Sequence, residues 1–123
     1  MRVLANIVVS VVARVEVPAA IWRKHRIGEL TPSDASILTW AFEWDWFGDK
    51  EHDPVFAVVA LTDDILEAAA QAAAVHGLRA YDAIQLSSAV AARAADPDLD
   101  RFACFDEDLT AAARIEGFHP LDA

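Results

Sequence analysis

Leu78-Arg-Ala-Tyr-Asp82-Ala-Ile-Gln-Leu86-Ser-Ser-Ala-Val90-Ala-Ala92 is the stretch that decides how the rest of the chain is read. Its apolar spacing predicts a helix that turns Ile84, Leu86, Ala89 and Val90 toward a core. Asp82 stands near the start of that helix among apolar neighbours. A carboxylate buried there costs several kcal/mol unless a cation or hydrogen-bond donors answer it. Downstream, Phe102-Ala-Cys-Phe105 reads as a buried strand running into Asp106-Glu107-Asp108. A carboxylate entering a helix and another at a strand's C-terminal edge meet naturally in an open α/β fold, where ligands gather at strand ends. The pairing points to a metal site.

Upstream of that core stretch, Val55–Leu61 predicts a second buried strand, and Thr62-Asp-Asp64 caps a helix that runs through Ile65, Leu66, Ala69 and Ala73 to His76, with Gly77 as its stop. Earlier still, Ile7–Val12 is continuous and β-branched, the pattern of a parallel strand covered on both faces. A helix from about Ala13 to Ile27 follows, with Gly28 as a left-handed stop and Pro18 expected in its first turn. Its last turn holds Arg23-Lys-His-Arg26, cations that suit a helix C-terminus and, alternatively, a phosphate or an acidic partner. Thr31-Pro-Ser-Asp34 opens the next helix, which ends at Gly48. That helix places Trp40, Trp44 and Phe47 on one face and Phe42 and Trp46 elsewhere, more aromatic surface than one small core usually absorbs; core packing is the default expectation, with a helical-pair dimer or a partner groove second. Beyond Ala92, the loop Asp96–Asp100 leads to the Phe102–Phe105 strand. A helix over Leu109–Glu116 opened by Asp106 or Asp108, a stop at Gly117 and a last strand at Phe118–Leu121 complete the chain. Strands alternating with helices predict α/β architecture with a parallel sheet and right-handed crossovers.

A chain of 123 residues has room for one domain, 1–123, and its 55% hydrophobic composition excludes disorder. Twenty acidic residues against ten basic ones leave a net charge of −10, which argues against unaided binding to a phosphate backbone. A basic partner, or a polyanion approached through metal ions, would suit this charge, although solubility alone is the favoured reading of it. The single cysteine, Cys104, lies in the apolar Phe102–Phe105 run and reads as a small buried hydrophobe in a reducing, cytoplasmic setting. The apolar run Val3–Ala13 is too short for a bilayer, which takes about 20 residues, and lacks a signal-peptidase site, so no membrane association is expected.

Val11-Val-Ala-Arg-Val-Glu16, Leu78-Arg-Ala-Tyr-Asp82-Ala-Ile-Gln-Leu86 and Phe102-Ala-Cys-Phe-Asp106-Glu-Asp-Leu109 together resemble the PIN domain, and more narrowly the VapC-type ribonuclease toxins of type II toxin–antitoxin systems. The likeness runs from about Ile7 to the C-terminus, and the middle motif is the most telling. It implies a PIN-like parallel sheet flanked by helices on both faces and metal-dependent cleavage of RNA with Mg²⁺ or Mn²⁺. It also implies neutralisation by a small cognate antitoxin, and a homodimer. Glu16, Asp82 and Asp106 carry over as catalytic and metal-holding residues, with Asp108 a fourth metal ligand from the same loop. Hard oxygen ligands suit these cations, and clustered carboxylates need one. The metals would activate a water and stabilise the scissile phosphate, so no nucleophilic side chain is required. Singly, each residue has a plainer use: Glu16 as a solvated helix residue, Asp82, Asp106 or Asp108 as a helix cap.

Family members begin with a strand that ends in an aspartate, followed by a helix, and this chain starts at what resembles the second strand. The shortfall is roughly 30 residues, one βαβ step. A misplaced start, a cut chain or gene decay would each produce it, and truncation of an ordinary toxin is the preferred reading. The expectation is therefore weak cleavage of RNA or none, with a catalytically inactive PIN-like protein that binds an antitoxin as the alternative. In that alternative the aromatic helix and Arg23–Arg26 are the working parts. A receiver-like phosphoacceptor is set aside, because Asp106 lacks an acidic pair after the first strand, and Lys24 and Lys50 lie in other contexts.

Overall fold

Capping chemistry fixes where most of the helices begin. Thr31 Oγ1 accepts from the Asp34 amide at 3.0 Å, Thr62 Oγ1 from Ile65 at 3.2 Å, and Asp106 Oδ1 from Leu109 at 2.8 Å. Each satisfies one of the amides that a helix leaves without an internal partner. The computed structural model describes residues 7–104 and 106–121. In chain order the elements are β1 (Ile7–Ser10), α1 (Ala13–Arg26), α2 (Pro32–Phe47), β2 (Phe56–Val59), α3 (Asp63–His76), α4 (Ala80–Ala95), β3 (Arg101–Phe102), α5 (Glu107–Ile115) and β4 (His119–Pro120). The α/β alternation expected from the sequence is present. Among the described residues, however, the strands form two separate pairs, β1 with β2 and β3 with β4, in place of one continuous PIN-like parallel sheet. The β3–β4 pair is parallel, with Arg101 opposite His119 and Phe102 opposite Pro120.

Three local expectations need correction. Pro18 lies inside α1, not in its first turn, because the helix already starts at Ala13 behind Val12. Pro18 lacks the N–H that would reach back to Arg14 O, so that turn is one hydrogen bond short. The strand expected over Phe102–Phe105 is reduced to Arg101–Phe102. Cys104 lies past the strand, its Sγ 3.0 Å from Thr110 Oγ1 and 3.4 Å from Asp106 O. It is therefore half-buried in a loop, not a core strand residue. Phe105 itself lies outside the described residues, as does the N-terminal part of the Val3–Ala13 run.

The chain divides into two compact units, Met1–Val58 and Val59–Ala123. In the first, α1 packs on α2. Ala13 and Ala35 are its buried helix residues. Phe42 and Trp46 close against Phe56 at ring separations of 5.8 and 6.2 Å. Arg14 ties the two helices together, bonding Glu43 Oε2 at 2.8 Å and stacking over Phe47. Gly48 ends α2 with a φ of 65°, and its backbone is so closely approached by His52 O and Pro54 N that no Cβ fits.

The second unit has a continuous apolar core. Ala69 of α3, Ala83 and Leu86 of α4, and Leu109, Ala112 and Ala113 of α5 are buried together with Leu78 and Phe118. Ala on α3, α4 and α5 lets the backbones approach closely, so Leu86 and Leu109 reach 1% exposure. Each such leucine contributes about 1.5–3 kcal/mol relative to an exposed position. Phe102 and Phe118 meet at 5.7 Å, and the Arg93 guanidinium covers the Phe118 ring at 4.0 Å.

Candidate functional site

The run that opened the sequence reading folds as α4, with Asp82 in its first turn. Leu86 is buried as expected, whereas Ile84, Ala89 and Val90 are only partly buried; Ala83, Ser87 and Ser88 fill the rest of the core-facing surface. A helix with a single apolar stripe buries one strip of side chains, and small residues qualify for it as readily as large ones. Asp82 itself is half-buried and is not without a partner.

Asp106 is the N-cap of α5, and Asp108 follows in the first turn; both are exposed. The cap uses Asp106 Oδ1, held by the Leu109 amide. Thr110, absent from the residues singled out in the sequence, secures this corner from the other side. Its Oγ1 donates to Asp106 O at 2.8 Å and meets Cys104 Sγ. The available signal was a threonine four residues after the cap, the spacing for a bond back to the preceding turn's carbonyl. Glu16 lies in the first turn of α1, half-buried, in the other unit. Asp82, Asp106 and Asp108 thus belong to the unit beginning at Val59, and Glu16 to the one before it.

Carboxylate oxygens are the right donors for Mg²⁺ or Mn²⁺. Their grouping is a different matter: among the described residues no three His, Cys, Asp or Glu side chains form a set able to hold a metal ion. Donor chemistry fits the cation, and a completed ligand shell is not seen.

Another polar pair stands elsewhere in the second unit. His76 Nε2 lies 2.9 Å from Glu116 Oε2, linking the ends of α3 and α5, and the His76 side chain is 5% exposed. The pair borders an opening of about 230 Å³ whose lining includes Gln71, Val75, Ser87 and Val90 and none of the four acidic candidates. Sequence spacing offers no route to this pair, because its members are 40 residues apart.

No family model matches the chain, and neither the curated proteins nor the solved structures contain a match to it. Among the described residues no helix is long and apolar enough to cross a membrane.

Proposed function

We propose that the chain is a PIN-like, metal-dependent endoribonuclease toxin, paired with a small antitoxin protein, that hydrolyses RNA with Asp82, Asp106 and Asp108; Glu16 is a further site residue by the sequence resemblance alone. The observation that carries the reading is the placement of two of its motifs. The Leu78–Leu86 run forms a helix entrance with Asp82 half-buried in its first turn, and the Asp106 motif forms the turn that enters α5. Both helices contribute to the same core, so these acidic positions are held by a packed scaffold and not by a loose loop. Mg²⁺ or Mn²⁺, when bound, would supply a polarised water and offset charge on the phosphate. The protein's own part is to hold carboxylate oxygens in place.

A second reading has its own support. Asp106 already has a use as a helix cap, no three ligating side chains gather among the described residues, and α2 displays aromatic side chains. These favour a PIN-like protein that binds an antitoxin without cutting RNA.

Incubating the chain with a mixed-sequence RNA and Mn²⁺ separates the two. The enzyme reading expects weak cleavage that EDTA stops and that Asp82→Ala abolishes. RNA left intact by a folded wild-type chain favours the binding protein, and cleavage unaffected by Asp82→Ala removes this site from the account.

A further inference from the structure

Two helices end beside one opening. His76 is the last residue of α3 and Glu116 the C-cap of α5, and His76 Nε2 donates to Glu116 Oε2 at 2.9 Å. The opening they border measures about 230 Å³. Ala68, Ala72 and Val75 of α3 and Leu86 and Val90 of α4 give it apolar walls. Gln71 and Ser87 add an amide and a hydroxyl, groups that can offer a donor or an acceptor. Among the described residues the lining holds one acid, Glu116, and neither lysine nor arginine. Arg93, three residues beyond Val90, lies over the Phe118 ring. The bond to His76 occupies one oxygen of Glu116, and with that side chain 39% exposed the other is within a ligand's reach.

We infer that this opening binds a small organic cation, a primary amine carried on an apolar ring. Charge selects the sign of the ligand. A helix C-terminus carries roughly half a unit of negative charge, and two of them come together here beside a carboxylate. The net charge of −10 further raises the concentration of cations around the chain. An anion would be repelled by all of these. A bare metal ion is poorly served, because among the described residues no third ligating side chain joins His76 and Glu116. The occupant therefore brings its ammonium to Glu116 and its own apolar body to the alanine, valine and leucine walls. Volume sets its size. An apolar cavity of about 150 Å³ takes benzene, so the larger opening here takes a ring with a short aminoalkyl arm. His76, its side chain 5% exposed, is the positioning residue that holds Glu116 at the rim by one oxygen. None of Glu16, Asp82, Asp106 and Asp108 lines the opening, so the inference does not rest on metal-dependent cleavage of RNA.

Titration of benzylamine into the full chain, followed by backbone amide shifts in a two-dimensional NMR spectrum, tests it. Saturable shifts confined to α3, α4 and the end of α5 are expected, with a Kd of about a millimolar. Toluene, which lacks the ammonium, and phenylacetate, which reverses the charge, should each bind at least about fivefold more weakly. Glu116→Gln keeps the size of the side chain but removes its charge, and should weaken benzylamine binding by a similar factor. Ala68→Phe, at an exposed position on the rim, should fill the opening and abolish saturation. Shifts that never saturate, or that spread over the acidic surface, overturn the inference. So does equal binding of toluene or phenylacetate, or benzylamine binding indifferent to Glu116→Gln or to Ala68→Phe. Should Glu116→Gln lower the melting temperature by releasing His76, the three ligands and Ala68→Phe decide.

Discussion

Leu86 and Leu109 in one unit, and Trp40 and Phe47 in the other, are all large apolar residues on helices. The first two are 1% exposed and the second two 60 and 62%. The difference lies in their neighbours. Around the leucines, alanines at 69, 83, 112 and 113 let α3, α4 and α5 approach closely, and Phe118 seals the end. In the first unit, α2 is apolar around most of its circumference, while α1 and β2 cover only the side that holds Ala35, Phe42 and Trp46. Hydrophobicity determines which residues seek cover, and the number and size of nearby elements determine which of them find it. The surplus becomes a surface.

The largest effect that follows from this contrast is at Leu86. Leu86→Ala should cost about 2–5 kcal/mol in urea unfolding followed by helix ellipticity, because the site is fully packed. Trp40→Ala should stay within about 0.5 kcal/mol of wild type although it deletes a larger side chain. Equal losses at the two positions would erase the distinction between the units. Next in size is Gly48→Ala, where a left-handed φ coincides with backbone already in the way of a Cβ. A cost of about 2 kcal/mol is expected there, read from the emission of the four tryptophans, all of which lie before Val59. A neutral result would mean that this turn is not what fixes the end of α2.

The smallest effect concerns acid. Asp49 Oδ1 accepts from the amides of Glu51 and His52, both at 2.8 Å. The Glu51 amide is the main cause holding its carboxyl below the usual range; slight desolvation opposes it, and the His52 amide and imidazole add to the lowering. A lowered folded-state value means that the carboxylate's contribution is present at neutral pH. It disappears as pH falls below about 4, through the lowered value. Trp44, whose ring stands 5.8 Å from His52, should report the loss as an emission step in an acid titration. Asp49→Asn should lack that step, and an identical titration in both proteins would show that the loop does not depend on the charge.

Helices were the legible part of this fold, because their boundaries are written in single residues. Thr31 with Pro32, Thr62, and Asp106 set starts, while Gly48 and Gly77 set stops. The division of α2 between Phe42 and Trp46 on one side and Trp40, Trp44 and Phe47 on the other was equally readable from spacing. Strands were not, because an apolar run such as Phe102-Ala-Cys-Phe105 does not show where pairing stops. Pairing there ends at Phe102, and Cys104 Sγ meets Thr110 Oγ1 of α5. The sheet's continuity and the His76–Glu116 pair depend on contacts across long stretches of chain, for which a local pattern carries no signal. At the candidate site, residue types, helix positions and a cap at Asp106 or Asp108 could be read from the sequence, whereas the choice between those two aspartates needed the hydrogen bond from the Leu109 amide to Asp106 Oδ1.

The cap at Asp106 supplies the most direct test of the central claim, that these carboxylates hold a divalent cation. Asparagine caps a helix as well as aspartate but brings no charge to a metal. Titration of Mn²⁺ into the wild-type chain and into Asp106→Asn, with melting temperature as the control, therefore separates capping from ligation. The account predicts saturable binding by wild type, lost or weakened at least about tenfold in Asp106→Asn, with the metal-free melting temperature unchanged. Equal Mn²⁺ binding by the two proteins, or none by wild type, would contradict it.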